Sequence, residues 1–262
     1  MNNIIITSGG TEEKIDEVRK ITNNATGKLG SIIAEKLTEK ENIKIFYVCS
    51  KTAIKPQINK NIEVFEIEDV YSLKATIEKL LLSNKIDFFI HTMAVSDYTV
   101  DYVSNSKMLA EYILDSIEIE KSDKKCYSKI NIFNQNNLES NIEKCILENN
   151  NIIDISRKIS SSEDNLIIKL KRAPKIISCI KELSPKTTLI GFKLLNQVTE
   201  DELLRVSQNL LEKNQCKLVI GNDSKNFEKG KHEAIFVTKT GIIERAKTKE
   251  EIAEKLVKFI IN

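Results

Sequence analysis

Between Ile4 and Gly30 the chain reads IIITSGGTEEKIDEVRKITNNATGKLG, and this stretch limits the fold more than any other. Ile4-Ile5-Ile6 is apolar and long enough for a short buried strand. The run breaks at Thr7-Ser8-Gly9-Gly10-Thr11. Two adjacent glycines among three hydroxyls leave backbone N–H groups bare and let them approach an anion. A polar segment follows, carrying Arg19, Lys20, Asn23, Asn24, Thr26 and Lys28, and then Gly27 and Gly30 open the apolar-periodic stretch Ser31–Leu37. Strand, glycine turn, polar excursion and helix together lay out a nucleotide site at the carboxyl end of a first strand. An ordinary strand-to-helix loop that contains glycine has the same pattern.

The rest of the chain extends this opening. Ile43–Val48, Ile62–Ile67 and Ile86–Ile90 read as strands, and Val70–Leu82 carries a helical apolar face through Val70, Leu73, Ile77, Leu80 and Leu81. The order β-α-β-β-α-β predicts a mostly parallel sheet with helices on its faces and ligands at the carboxyl strand ends. Both the Gly9-Gly10 turn and the turn Met93–Asp97 would lie there. From about Thr99 to Ile155 the chain is rich in Asn, Lys, Ser and Glu, with short helical stretches at Lys107–Leu114 and Leu138–Leu147. This region reads as a surface excursion within a single domain spanning 1–262. Order resumes with a strand at Leu166–Lys171. Pro174 is placed in the first turn of a helix Lys175–Leu183. Then come a strand Leu189–Lys193, a helix Glu200–Lys213 with Thr199 and Glu202 as a capping box, a strand from Lys217, a hairpin Glu233–Thr238/Gly241–Ala246, and a last helix Lys249–Ile260 capped by Thr248. The expectation is a Rossmann-like three-layer α/β fold with a mostly parallel central sheet, a C-terminal β-hairpin and an excursion near 99–155.

Composition narrows the function. A net charge of +2 with 30% charged residues is a mixed surface, which implies neither nucleic acid nor membrane. Cys49, Cys126, Cys145, Cys179 and Cys216 are scattered and odd in number, which argues against a disulfide framework or a zinc site. His91 and His232 are the only histidines, too few for a His-rich metal site. No apolar run approaches the roughly 20 residues that span a bilayer. The expectation is a soluble, cytoplasmic protein.

Seven segments recur in an order that is itself specific. They are the TSGGT turn, Asp16–Gly30, the AVSDY turn at Ala94–Tyr98, KISS at Lys158–Ser161, Ala173-Pro174-Lys175-Ile176, Ile190–Lys193, and Gly221-Asn222-Asp223. In this order they resemble phosphopantothenate–cysteine ligase, most closely its stand-alone bacterial form, over nearly the whole chain except Thr99–Ile155. The resemblance implies an amide bond made between 4′-phosphopantothenate and cysteine in coenzyme A synthesis. It further implies CTP as co-substrate, Mg2+, an acyl-cytidylate intermediate, release of pyrophosphate, and a homodimer. Such chemistry needs cations and N–H donors around a triphosphate, and then a donor for the oxyanion of a tetrahedral intermediate.

Residue by residue, the resemblance makes Asn23 the amide that contacts the acyl intermediate, with Arg19 four positions earlier as its companion. The ordinary readings of these two are a turn asparagine and a surface ion pair. Lys158 becomes the mobile cation over the nucleotide, with Arg157 as its rival. Gly9 and Gly10 would admit the phosphates, and Asp97 would accept from the nucleotide or serve only an Asx turn. Met93 and Ala94 stand where the family meets the substrate phosphate through two alanines, in the dimer from the neighbouring subunit. Ala173, Pro174, Lys175 and Ile176 would face the base. Phe192 would pack on base or ribose, or simply in the core. Lys213 matches a triphosphate lysine whose partner one turn earlier is here Asn209. Asn222 and Asp223 could contact nucleotide or hold their loop. The metal ligands stay unassigned. Two other readings remain: an NAD(P)-binding reductase, disfavoured because T-S-G-G-T is not G-x-G-x-x-G, and a nucleotide-binding homologue that has lost its chemistry.

Overall fold

The computed structural model describes residues 2–122, 135–227 and 231–261; Cys126 lies outside them. In chain order the elements are β1 (Asn2–Ser8), β2 (Glu12–Lys14), β3 (Lys20–Thr22), α1 (Lys28–Thr38), β4 (Ile43–Ser50), β5 (Ile62–Ile67), α2 (Val70–Ser83) and β6 (Phe88–His91). Then follow β7 (Tyr98–Asn105), α3 (Ser106–Ser122), α4 (Gln135–Leu147), β8 (Leu166–Arg172), α5 (Ile176–Leu183), β9 (Thr188–Leu195) and α6 (Glu200–Lys213). The chain ends with β10 (Leu218–Asp223), β11 (Ala234–Thr238), β12 (Gly241–Ala246) and α7 (Lys249–Ile261). It folds as two compact units, one of Met1–Glu13, Thr22–Asp97 and Ala173–Asn262, the other of Lys14–Ile21 and Tyr98–Arg172.

The first unit is built on an eight-stranded sheet in the order β12-β11-β10-β9-β6-β1-β4-β5. Every pair from β5 to β10 is parallel, and the hairpin β11–β12 adds two antiparallel strands at one edge. The α/β architecture expected from the alternation of strands and helices is therefore the observed one. Its inner strands, such as β1, β4 and β10, are buried on both faces and read as largely apolar runs, while the edge strands β5 and β12 are part-exposed. Successive side chains point to opposite faces. Ile4, Ile6, Ile45, Tyr47, Ile190 and Ile220 pack under α1 and α7, while Ile5, Phe46, Val48, Phe89, Leu189 and Val219 pack under α2, α5 and α6. At the start of α2, Asp69 and Ser72 form a reciprocal capping box that the sequence reading did not anticipate.

The second unit is polar by comparison. Its ribbon pairs β7 with β8 antiparallel, with a register shift between Val100 and Tyr102. Asp101 at that shift takes Lys169 Nζ at 2.9 Å and Lys171 Nζ at 3.0 Å. Lys169 also donates to the Leu147 carbonyl at the end of α4 (2.8 Å).

Four local expectations are corrected. The polar excursion after Gly10 contains the short strands β2 and β3. The stretch after Tyr98 opens with the eight-residue strand β7, whose mixed polar sequence hid its pairing with β8. Pro174 lies outside α5, because Lys175 stays extended (φ −81°, ψ 99°) and occupies the N-cap position. At α6 only half of the expected box forms: Thr199 Oγ1 accepts from Glu202 N–H (3.2 Å).

Candidate active site

In the first unit the predicted segments meet at the carboxyl ends of β1 and β6. Gly10 and Ala94 form a parallel bridge. Ala94 N–H donates to Gly9 O (2.9 Å), and Thr11 N–H donates to Ala94 O (3.3 Å). Ser96 N–H reaches Thr11 Oγ1 (3.0 Å). The exposed Asn23 joins this turn, its Nδ2 donating to Ala94 O at 3.2 Å, which uses only one of the amide N–H groups. Asp97 extends the cluster to α5: its side chain pairs with Lys175 Nζ, and its carbonyl takes Ala173 N–H (3.0 Å). Gly9, Gly10, Asn23, Ala94, Asp97, Ala173 and Lys175 thus stand in one connected patch. Pro174 and Ile176 flank it, the latter buried at the start of α5.

The glycines work differently from the sequence expectation. A β-carbon on Gly9, at φ +85°, would stand 2.5 Å from Ser50 Oγ and 2.7 Å from Ala53 Cβ. One on Gly10 would face the Asn23 carbonyl at 3.0 Å. The space they keep open is filled by protein, so they let the turn pack closely rather than clear room for a phosphate. Gly30 does the same at α1, where a β-carbon would meet Ser8 Oγ at 2.4 Å. That contact seats the N-terminus of α1 directly on the end of β1. Gly27 occupies its cap position in the left-handed region (φ 76°) and has no side chain to cap with, and at the first turn Lys28 N–H makes only a long bond to Thr26 Oγ1 (3.4 Å). A helix start in this state favours an anion through its N–H groups and its dipole.

Several other candidates fall elsewhere. Met93 is buried in the core and its N–H points inward to Thr7 Oγ1 (3.4 Å), while the Ala94 N–H is already bonded to Gly9. The backbone donors of Met93 and Ala94 are therefore engaged within the chain. Lys213 ends α6, which runs back from the carboxyl to the amino ends of the strands. Just beyond it, Lys217 N–H bonds to Leu189 O near the start of β9 (2.8 Å). Lys213 and Asn209 accordingly lie toward the amino ends of the strands, away from the Gly9-Gly10 turn. Phe192 is half-buried against the core beneath α1 and α7. Asn222 Nδ2 donates to Glu233 O (2.8 Å), and the buried Asp223 accepts from the N–H groups of Gln197, Val198 and Lys225, so both hold loops.

Beside the patch, His91 Nδ1 and Thr7 Oγ1 are 2.7 Å apart. The Met93 N–H also reaches Thr7 Oγ1 (3.4 Å), and burial pushes the imidazole down to about 4. Burial likewise raises the thiols of Cys49 to about 11 and Cys216 to about 12, so neither is a ready nucleophile. No group of three or more His, Cys, Asp or Glu gathers to hold a metal among the described residues.

In the second unit Arg19 and Lys158 are linked through an intermediary that sequence reading missed. Asp16 Oδ2 accepts from Ile159 N–H (3.1 Å), and Arg19 Nη2 donates to Ile159 O (2.8 Å). Burial works against the Asp16 charge, but N–H groups of Val18, Ile159 and Arg19 and the Arg19 guanidinium outweigh it and hold the carboxyl below its usual range. Lys158 and Arg157 are exposed next to the buried Ile159. The signal in the sequence was local: an Asp followed two and three residues later by the N–H groups it accepts.

The sequence model for the DNA/pantothenate metabolism flavoprotein C-terminal domain matches residues 1–124 and 152–262. The chain belongs to that family. The DNA/pantothenate metabolism flavoprotein family model leaves out only residues 125–151, within the stretch that the ordered motifs also left out. A crystal structure of the DNA/pantothenate metabolism flavoprotein from Streptococcus pneumoniae is 34% identical, with a TM-score of 0.76, covering 100% of this chain and 99% of that one. The coenzyme A biosynthesis bifunctional protein CoaBC of Thermococcus kodakarensis is 27% identical over 97% of this chain and 49% of its own length. The chain spans about half the length of the curated relatives it matches first. A Cab2 variant solved in complex with phosphopantothenate-cysteine shares the fold, at 19% identity and a TM-score of 0.62, covering 99% of this chain and 86% of that one. No helix among the described residues is long and apolar enough to cross a membrane.

Proposed function

We propose that this chain joins 4′-phosphopantothenate to cysteine, activating the carboxylate with CTP. The observation that carries the reading is the patch in which the Asn23 amide, the Gly10–Ala94 bridge and the Asp97–Lys175 pair come together in a member of a pantothenate-metabolism family. The reaction takes place in two displacements. The substrate carboxylate attacks the α-phosphate of CTP and pyrophosphate leaves. The cysteine amine then attacks the acyl carbon, the bond from that carbon to the phosphate oxygen breaks, CMP departs and the amine loses a proton.

Each step asks something of named residues. The triphosphate needs fixed positive ends of dipoles, which the start of α1 at Gly27–Gly30 supplies beside the Gly9-Gly10 turn. Lys158 acts as the cation for charge that grows on the departing pyrophosphate, and Arg19 supports it. Asn23 donates to the acyl oxygen without a charge to titrate. Asp97, Ala173, Pro174, Lys175 and Ile176 border the nucleoside. Among the described residues no acidic cluster builds a magnesium cage; the ion would arrive on the triphosphate and neutralise charge there, as magnesium commonly binds through phosphates and one or two carboxylates. The resemblance also supports a cytoplasmic homodimer.

Pyrophosphate release from CTP with 4′-phosphopantothenate, measured with and without cysteine, tests the reading. Folded protein that releases none under either condition sinks it. Thermal stabilisation by NADPH but not by CTP would favour the reductase instead. Asn23→Ala is expected to form the acyl-cytidylate but to turn it over slowly; turnover at the wild-type rate removes Asn23 from the mechanism.

A further inference from the structure

We infer that Asp16 is a positioning residue: with the Arg19 guanidinium it fixes the backbone on both sides of Ile159 and so sets where Lys158 presents its ammonium group. The inference rests on the ligase reading only for what Lys158 does. The anchor itself rests on geometry.

The Asp16 side chain is 0% exposed. Its Oδ1 accepts from Val18 N–H at 2.9 Å and Arg19 N–H at 2.7 Å, which closes a local turn and aims the carboxylate. Its Oδ2 then reaches Ile159 N–H at 3.1 Å, across 143 residues of sequence. Arg19 completes the grip: Nη2 donates to Ile159 O at 2.8 Å, and Nε lies 3.5 Å from Asp16 Oδ2. The Ile159 N–H belongs to the peptide plane shared with Lys158, and its carbonyl belongs to the plane shared with Ser160. Peptide groups are planar, so gripping both fixes the chain direction at Lys158 Cα. The Ile159 side chain, 2% exposed, adds an apolar pin. Lys158 and Ser160 on either side are exposed. A lysine carries its charge on a flexible stem, so a rigid backbone root is what restricts the space its ammonium can visit.

This explains why a buried acid stands in the polar excursion. A carboxylate has acceptor capacity for three N–H groups. An amide of the same shape does not, because in either orientation its NH2 group would confront a backbone donor. Asp16→Asn therefore releases Ile159 or the local turn while leaving volume unchanged.

Two measurements on the full chain test this. The first is trypsin nicking after Arg157 and Lys158, which Asp16→Asn should speed by about tenfold through local opening. The second is a cycle of Asp16→Asn, Lys158→Ala and the double variant, read as pyrophosphate release from CTP and 4′-phosphopantothenate. Each single change should slow release by about 10- to 100-fold, and the double variant should be no slower than Lys158→Ala alone. Nicking at the wild-type rate overturns the anchor, and additive losses overturn action through Lys158. Undiminished release by Lys158→Ala instead refutes the role given to that lysine under the ligase reading, while faster nicking of Asp16→Asn still supports the anchor. If Asp16→Asn does not fold, Arg19→Gln, altered at a partly exposed side chain, frees the Ile159 carbonyl and removes the ion pair with Asp16 while keeping the Asp16 bond to Ile159 N–H, and should nick about threefold faster; an unchanged rate there also overturns the anchor.

Discussion

The Gly9-Gly10 turn and the Lys158 segment serve the same proposed reaction, but they are held in opposite ways. The turn hangs from β1 and β6, whose Ile5, Ile6, Phe89 and Ile90 are fully buried, and it is closed by backbone bonds between Gly9, Thr11 and Ala94. The Lys158 segment is tied down by two ionised side chains, Asp16 and Arg19, in a unit whose ribbon is only half-buried. A two-stranded ribbon is marginal by itself. Polar anchors in such a unit substitute for the area that a large sheet buries. The comparison teaches that the first region should fail by losing packing and the second by losing specific bonds.

Gly9→Ala should break the first region most severely. The left-handed φ and the contacts with Ser50 and Ala53 together destabilise by on the order of 4 kcal/mol. A urea midpoint unchanged from wild type would show that the turn relaxes freely. Acid should weaken the same unit next. His91 holds its pKa near 4 in the folded state against an ordinary 6.5, so the unfolded chain takes the proton first. Stability is full above pH 6.5 and falls by about 3 kcal/mol as the pH drops toward 4. His232, also lowered to about 4 by burial and by Lys249, adds in the same direction. His91→Gln should flatten the pH dependence of the melting temperature across that window. An unaltered slope would remove His91 as its source.

The second unit should respond to the loss of one cation. Lys169→Ala deletes bonds to Asp101 and the Leu147 carbonyl, at about 1–2 kcal/mol. Hydrogen exchange should quicken in Tyr98–Asn105 while β1 and β4 keep their protection; equal loss in both would erase the contrast between the units. The smallest effect belongs to Lys175→Ala. Its pair with Asp97 is exposed on both sides, so stability should change by less than about 1 kcal/mol. Stabilisation of the protein by CTP should nevertheless fall, and full retention would take Lys175 out of the nucleotide site.

What was legible in the sequence follows the same division. The runs at Ile4–Ile6, Ile43–Val48 and Leu189–Lys193 announced the sheet, because strands buried on both faces need continuous apolar residues. The turn at Gly10 and Ala94 was expected at the carboxyl strand ends, where it stands. The second unit was harder to read. Strand β7 is YTVDYVSN, and its acid is explained only by Lys169 and Lys171 on the partner strand. Arg19 was noticed for its spacing to Asn23, yet its bonds go to Ile159 and Asp16, and no local pattern signals a partner 140 residues away. Met93, Ala94 and Lys213 were assigned by alignment of motifs, and only the hydrogen-bond pattern and the direction of α6 reveal where they point.

The pairing of β6 with β9 has a further meaning in polymer terms. Ile90 lies beside Ile190, so the middle of the sheet is sewn from segments separated by everything in between. That seam can form only after the intervening chain has closed into a loop. The entropy of closure grows with the logarithm of loop length, so residues 125–151, which the family model skips, raise it by only about 0.3 kcal/mol. A sheet sealed in this way can carry a longer insertion with little change in its own stability; what the insertion alters is how slowly the seam finds its register.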